Sequence, residues 1–196
     1  MEFDFFGTEL YISPAALAMA ALFYYMTNPI SVFFVLISIS VHEAGHLLAV
    51  KICKEKIRAV SIEAWGLSIR YAGEVSGEGE KLICTLAGPG AGMVLYFFCD
   101  FFPRSAFLSG LADMTFTFTL INLFPCRPLD GGNALYCILR TCFPYKRADC
   151  IMRSILNTAL SLFLLTGLVF ACSNKGTSLL LIAVYLGYFN MSDEYL

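Results

Sequence analysis

Two histidines four residues apart, with a glutamate beside the first, carry the most chemistry of any stretch in this chain. The stretch is Val41-His42-Glu43-Ala44-Gly45-His46. On a helix, residues four apart share a face and lie about 6 Å apart along the axis, so both imidazoles can bind one metal ion. Glu43 follows the first of them, and its carboxylate can reach a water at that metal. Two His ligands with a Glu as general base suit metal-assisted hydrolysis, with zinc as the usual ion. The competing reading is a chance match. It is weakened because His42 and His46 are the only two histidines among 196 residues.

Hydrolytic zinc takes three protein ligands and keeps a fourth position for water. With no third His, the missing ligand must be a carboxylate or a thiolate. Asp130, in Pro128-Leu129-Asp130-Gly131-Gly132, is the best candidate. An acid near membrane depth is costly and usually functional, and the glycines after it let backbone come close to a neighbour. Its other reading is an N-cap for a helix beginning near Gly131. Asp113 competes, but falls nearer the opposite membrane face and reads as a helix-end or packing residue. Asn122 precedes a turn containing Pro125 and Pro128. Its amide either hydrogen-bonds a substrate backbone or a developing oxyanion, or satisfies backbone freed by Pro125. The eight cysteines form no C-x-x-C pair. Several sit in apolar runs as small hydrophobes, and Cys126 reads as a packing residue.

The elements that must position these groups are apolar. The chain is 58% hydrophobic and 14% charged, with a net charge of -2. This excludes an ordinary soluble domain and indicates an integral membrane protein, with residues 1–196 forming a single domain. So small a charge provides no bulk attraction to nucleic acid. The expected fold class is an all-α polytopic membrane protein of about six transmembrane helices, over residues 10–26, 29–50, 82–102, 107–124, 154–171 and 177–191. The last is shorter than the roughly 20 residues of a full span. The N-terminus carries Glu2, Asp4 and Glu9 and no nearby Lys or Arg, so the first segment reads as a retained helix and not as a signal peptide. Between the second and third segments, period-two alternation on both sides of Trp65-Gly66 predicts a small β-hairpin. Residues 73–80 read as a loop and 134–143 as an amphipathic surface helix.

Charge orients this arrangement. Loops 51–81 and 126–153 carry six and five Lys or Arg, against only Arg104 and Lys175 on the other side. The long loops, and both termini with them, are therefore expected in the cytoplasm, where cysteines stay reduced. The second and fourth segments then end on the cytoplasmic side, bringing His42, His46 and Asp130 to one depth.

With these residues in place the chain resembles the site-2 protease family of intramembrane metalloproteases. The resemblance rests on His42-Glu43-Ala44-Gly45-His46 in a membrane segment and Pro128-Leu129-Asp130-Gly131-Gly132 two segments later, with Ala87-Gly88-Pro89 between. Order and spacing are similar to a bacterial branch, that of the sporulation sigma-factor processing proteases. The resemblance implies that His42, His46 and Asp130 bind Zn2+, that Glu43 is the base, and that Asn122 lies at the active site. It also implies a membrane-bound protein substrate with a transmembrane segment, cleaved in or beside the lipid bilayer of a bacterial cell membrane, and room for a regulatory membrane protein as partner. The chain departs from the family at Gly92, where an Asn is frequent, and regulation through a nucleotide-sensing domain or a PDZ module is not expected from residues 1–196. Three other readings compete. A prenyl-protein type of zinc protease would take a later Glu as third ligand. A catalytically inactive metal-binding scaffold holding client helices would not need Glu43. A small transporter would suit an intramembrane Asp with broken helices, but would not need the His pair.

Overall fold

The computed structural model describes residues 2–5, 8–12, 14, 24–25, 27–54, 57–63, 66–71, 77–102, 105–126, 129–173, 180, 183–184 and 187. Its elements, in chain order, are β1 (Glu2–Phe5), β2 (Thr8–Ile12), α1 (Pro29–Ile52), β3 (Ile57–Glu63), β4 (Gly66–Tyr71), α2 (Glu78–Phe101), α3 (Ala106–Asn122), α4 (Asp130–Cys142) and α5 (Tyr145–Cys172). Backbone contacts divide the chain into two compact units, Met1–Leu123 and Phe124–Leu196.

In the first unit the helix starts are written locally. Asn28 caps α1, its side chain accepting from the Ser31 N–H at 2.8 Å, and Pro29 takes the first position, where its missing N–H costs nothing. Ser105 caps α3 in the same way through the Leu108 N–H. Replacing Asn28 with Ala should cost about 1 kcal/mol, read as a lower unfolding midpoint, with metal content unchanged. Glu78 and Glu80 lie in the first turn of α2, favourably placed against the positive end of its dipole. Helix α2 thus begins inside the stretch expected to be a loop.

Helices α1, α2 and α3 pack pairwise on one another. Near the start of α1, Phe34 meets Cys99 of α2 and Leu111 and Ala112 of α3. Near its end, Ala49 and Val50 meet Cys84. Close approach is built in at Gly45, where a Cβ would come within 2.7 Å of the Ala91 Cβ, and at Gly110, where it would come within 2.6 Å of the Phe34 ring. Between the two apolar clusters the interior is polar. Ser38, His42, Glu43, His46, Thr115, Thr119 and Asn122 are buried, while Phe33, Leu36, Leu48, Val94, Phe97 and Phe101 face outward. Apolar outside and polar inside is the arrangement that lipid selects, because hydrocarbon solvates the outer face and leaves polar groups to pair within. Helices α1, α2 and α5 are each long and apolar enough to cross a membrane.

The four strands form one sheet in the order β1-β2-β3-β4. Strand β1 pairs antiparallel with β2, β2 parallel with β3, and β3 antiparallel with β4, with Val60 opposite Ile69 and a register shift between Ile57 and Ala59. Residues 10–12, expected to open the first transmembrane segment, belong instead to β2. The rest of that segment falls almost wholly outside the described residues, as does 177–191.

In the second unit, α4 and α5 form a helical hairpin closed at Phe143-Pro144. The Tyr136 hydroxyl donates to Asp149 at 2.7 Å, the Arg140 guanidinium lies 4.9 Å over the Tyr145 ring, and Leu139, Ala148 and Met152 form the core. Helix α5 begins nine residues before the expected apolar segment.

Candidate metal centre

His42 and His46 occupy successive turns of α1, and both are buried, at 2% and 9% exposure. Their rings meet edge to face with centroids 4.8 Å apart, and the two Nε2 atoms lie 3.2 Å from each other. The Cys84 carbonyl on α2 lies 2.8 Å from His46 Nδ1. A carbonyl only accepts, so Nδ1 carries the proton and the Nε2 lone pair is left to face His42. A backbone carbonyl behind a liganding imidazole is a recurrent way to fix the tautomer and ring orientation. Zinc–nitrogen bonds of 2.0–2.1 Å at a tetrahedral angle would set two ligand nitrogens about 3.3–3.4 Å apart. The imidazole pair fits that ion.

The wall behind His46 is bare backbone. A Cβ at Gly88 would overlap the imidazole at Nε2, Cε1 and Cδ2, so any side chain there competes with the ring for the same space. Gly88 and Pro89 are both buried in α2. On the other side Phe118 of α3 packs edge-on against His42, with ring centroids 5.2 Å apart. One turn before His42, Ser38 donates to the Phe34 carbonyl at 2.9 Å and lies 2.8 Å from Thr115 Oγ1. A serine has one hydroxyl proton, so Thr115 must be the donor in that pair. Hydroxyl and imidazole groups thus share one inner face of α1.

Glu43 is 8% exposed and lies within the same helical cluster. Asn122, the last residue of α3, is 5% exposed, and its amide donates to the Phe118 carbonyl at 3.1 Å. Asp113 is exposed in the middle of α3, which corrects its reading as a helix-end or packing residue. Asp130 is the first residue of α4, with Leu129 at the cap position. The cap reading is therefore corrected: Asp130 lies inside the first turn, where a carboxylate suits the helix dipole. Sequence reasoning missed the Cys84 carbonyl, the contact at Gly88 and the Ser38–Thr115 pair. Ala87-Gly88-Pro89 signalled close packing, and Ser38 precedes His42 by one turn, but neither names its partner.

Among solved structures, the chain is similar to a site-2 protease from Methanocaldococcus jannaschii, with a TM-score of 0.67 over 96% of this chain and 92% of that one, at 22% sequence identity. The chain has the site-2 protease fold. No family model and no curated protein matches it. At this identity the shared property is the architecture. Within it, the His42–His46 pair sits on a helix long and apolar enough to span a membrane, with Glu43 between the imidazoles in sequence and buried alongside them.

Proposed function

We propose that the chain is an intramembrane zinc metalloprotease, hydrolysing peptide bonds in or next to transmembrane segments of membrane-bound substrates. The observation that carries this reading is the buried imidazole pair, whose Nε2 atoms lie 3.2 Å apart, close to the spacing of two nitrogens on tetrahedral zinc. In this reading His42 and His46 bind through Nε2, Asp130 supplies a carboxylate oxygen as third ligand, and one position is left for water. When bound, zinc polarises the scissile carbonyl and lowers the pKa of a coordinated water. Glu43 takes the attacking water's proton and returns it to the leaving amine. Burial of Glu43 and both imidazoles keeps that transfer away from bulk solvent. In this reading Asn122, at the end of α3, hydrogen-bonds the substrate near the scissile bond once its amide turns from the Phe118 carbonyl.

The substrate's own helix hides its amides, so cleavage requires an unwound stretch. The edge of the sheet at β4 is suited to hold one by strand addition. Of two successive residues in an edge strand, one directs its N–H toward β3 and the other toward the open edge. Proline substituted singly at Ser68 and at Ile69 should therefore separate the two. The position facing the open edge should lose cleavage with thermal stability kept. Full-rate cleavage by both proline variants would remove this role. The Lys and Arg content of the long loops supports a cytoplasmic side for the histidine-bearing end of α1 and for both termini, which would give water a short route in. Lipid and a regulatory membrane protein complete the expected surroundings.

The test is cleavage of a tagged membrane substrate by the purified protein, with zinc counted in the same sample. About one zinc per chain with cleavage supports the reading. Zinc without cleavage across a substrate panel would favour a scaffold that holds client helices. Absence of zinc after loading would remove the metal centre.

A further inference from the structure

Helical Ser and Thr residues usually return their hydroxyl proton to the carbonyl one turn back. Ser40, Thr117, Thr158 and Ser161 all do so in this molecule, at 2.7–2.8 Å. Thr119 does not. It is 1% exposed, and its Oγ1 has no hydrogen-bond partner among the described residues. The hydroxyl turns instead toward Gly92 of α2, where a Cβ would overlap it. A buried donor left unmade is among the costlier features of a folded interior, more so where no bulk water can reach it.

The location relates this donor to the metal centre. Gly92 lies four residues beyond Gly88 on α2, one turn or about 6 Å along the axis, and Gly88 is the residue against which His46 Nε2 rests. On α3, Thr119 directly follows Phe118, whose ring packs on His42. The Thr119 hydroxyl is thus one turn from the metal-binding nitrogen along one helix and one residue from the His42 contact along the other. Its neighbour Thr115 already gives its proton to Ser38. Only Thr119 keeps an uncommitted donor at this depth in the described hydroxyl row of α3.

We propose that Thr119 is a substrate-binding residue whose hydroxyl donates to a backbone carbonyl of the unwound peptide next to the scissile bond. The inference rests on the peptidase reading above. An uncommitted donor calls for a ligand bearing an acceptor. A peptide whose helix has been opened brings one such acceptor per residue. The hydrogen bond is absent without substrate and forms when the peptide occupies the site. The unpaired hydroxyl therefore costs stability in the free protein and contributes affinity in the complex.

The test uses the full-length, zinc-loaded protein with Thr119→Val, which keeps the shape and removes the hydroxyl, and Thr119→Ser, which keeps the hydroxyl. Two ligands are titrated: acetohydroxamate, which offers only a zinc-binding group, and a peptidyl hydroxamate, which adds a short peptide. Thr119→Val should weaken the peptidyl ligand about 3–10-fold, the worth of one hydrogen bond. Affinity for acetohydroxamate and zinc content should stay unchanged, and Thr119→Ser should restore peptide affinity. The unliganded Val variant should also unfold at a higher temperature than wild type, since it no longer buries an orphan donor. Unchanged peptide affinity in the Val variant overturns the proposal. Equal loss in both variants assigns the effect to packing and also overturns it. Lower stability with unchanged affinity would assign the hydroxyl to a structural water, a third overturning result. If wild type binds the peptidyl ligand no more tightly than acetohydroxamate, the peptidase reading itself fails, and this inference with it.

Discussion

Glu43→Gln is expected to lower peptide cleavage by about 10²–10⁴-fold, the usual contribution of a positioned general base, while leaving close to the wild-type amount of zinc. Glutamine keeps the size of the side chain and can still accept a hydrogen bond, but it cannot take a proton at neutral pH. The nitrogens proposed as ligands belong to His42 and His46, and the bond orienting His46 comes from the Cys84 carbonyl, so Glu43 is not among the groups expected to hold the ion. Burial makes the effect large: at 8% exposure, no bulk base can readily stand in for the carboxylate. The measurement is kcat/KM on a tagged membrane substrate together with zinc per chain. Parallel loss of zinc would move Glu43 into the ligand set. Cleavage at the wild-type rate would end its role as base.

Gly88→Ala should weaken zinc binding by about 10–100-fold, the range seen when groups behind a metal ligand are disturbed, and cleavage should fall with it. The new methyl group would coincide with three atoms of the His46 imidazole. The ring can move only by giving up its Nδ1 bond to Cys84 or its alignment with His42 Nε2. Gly90→Ala is the matched control on the same helix, because nothing lies within 4 Å of a Cβ at that position. There the extra methyl should be neutral or stabilising, by up to about 1 kcal/mol, since alanine is the better helix former. Chelator competition reads the zinc affinity and a thermal melt reads the fold. A Gly88→Ala protein that holds zinc as tightly as wild type would show that the ring re-seats, and that the bare backbone is dispensable.

The His42–His46 pairing was legible before the fold because it depends on local order. Within one helix His42 and His46 share a face whatever else the chain does, and the chain has no other histidine. Asn28-Pro29 and Ser105 mark helix starts through bonds to N–H groups three residues on, which is also local. The apolar exterior follows from composition. Boundaries fared worse where polar residues enter a helix. Lys146, Arg147, Asp149 and Arg153 hid the first turns of α5 from any reading by hydropathy, and Glu78 and Glu80 hid the start of α2. Residues 10–12 read as the start of a membrane helix because a short apolar run does not reveal its partner. Their parallel pairing with β3 lies some fifty residues away in sequence.

What the sequence by itself determined is therefore a residue pattern and its medium: two imidazoles one turn apart, a carboxylate next to the first, and a chain too apolar for an ordinary soluble domain. The tertiary structure decided how those donors are held. The proton on His46 Nδ1 is fixed by a carbonyl 38 residues away on another helix. The ring is seated by an absent side chain at Gly88, and the Thr119 hydroxyl is turned from its own helix toward Gly92. Each depends on a close approach between segments distant in sequence. Hydrogen-bond direction and steric overlap change over tenths of an ångström, and neither residue type nor spacing along one helix encodes distances between two.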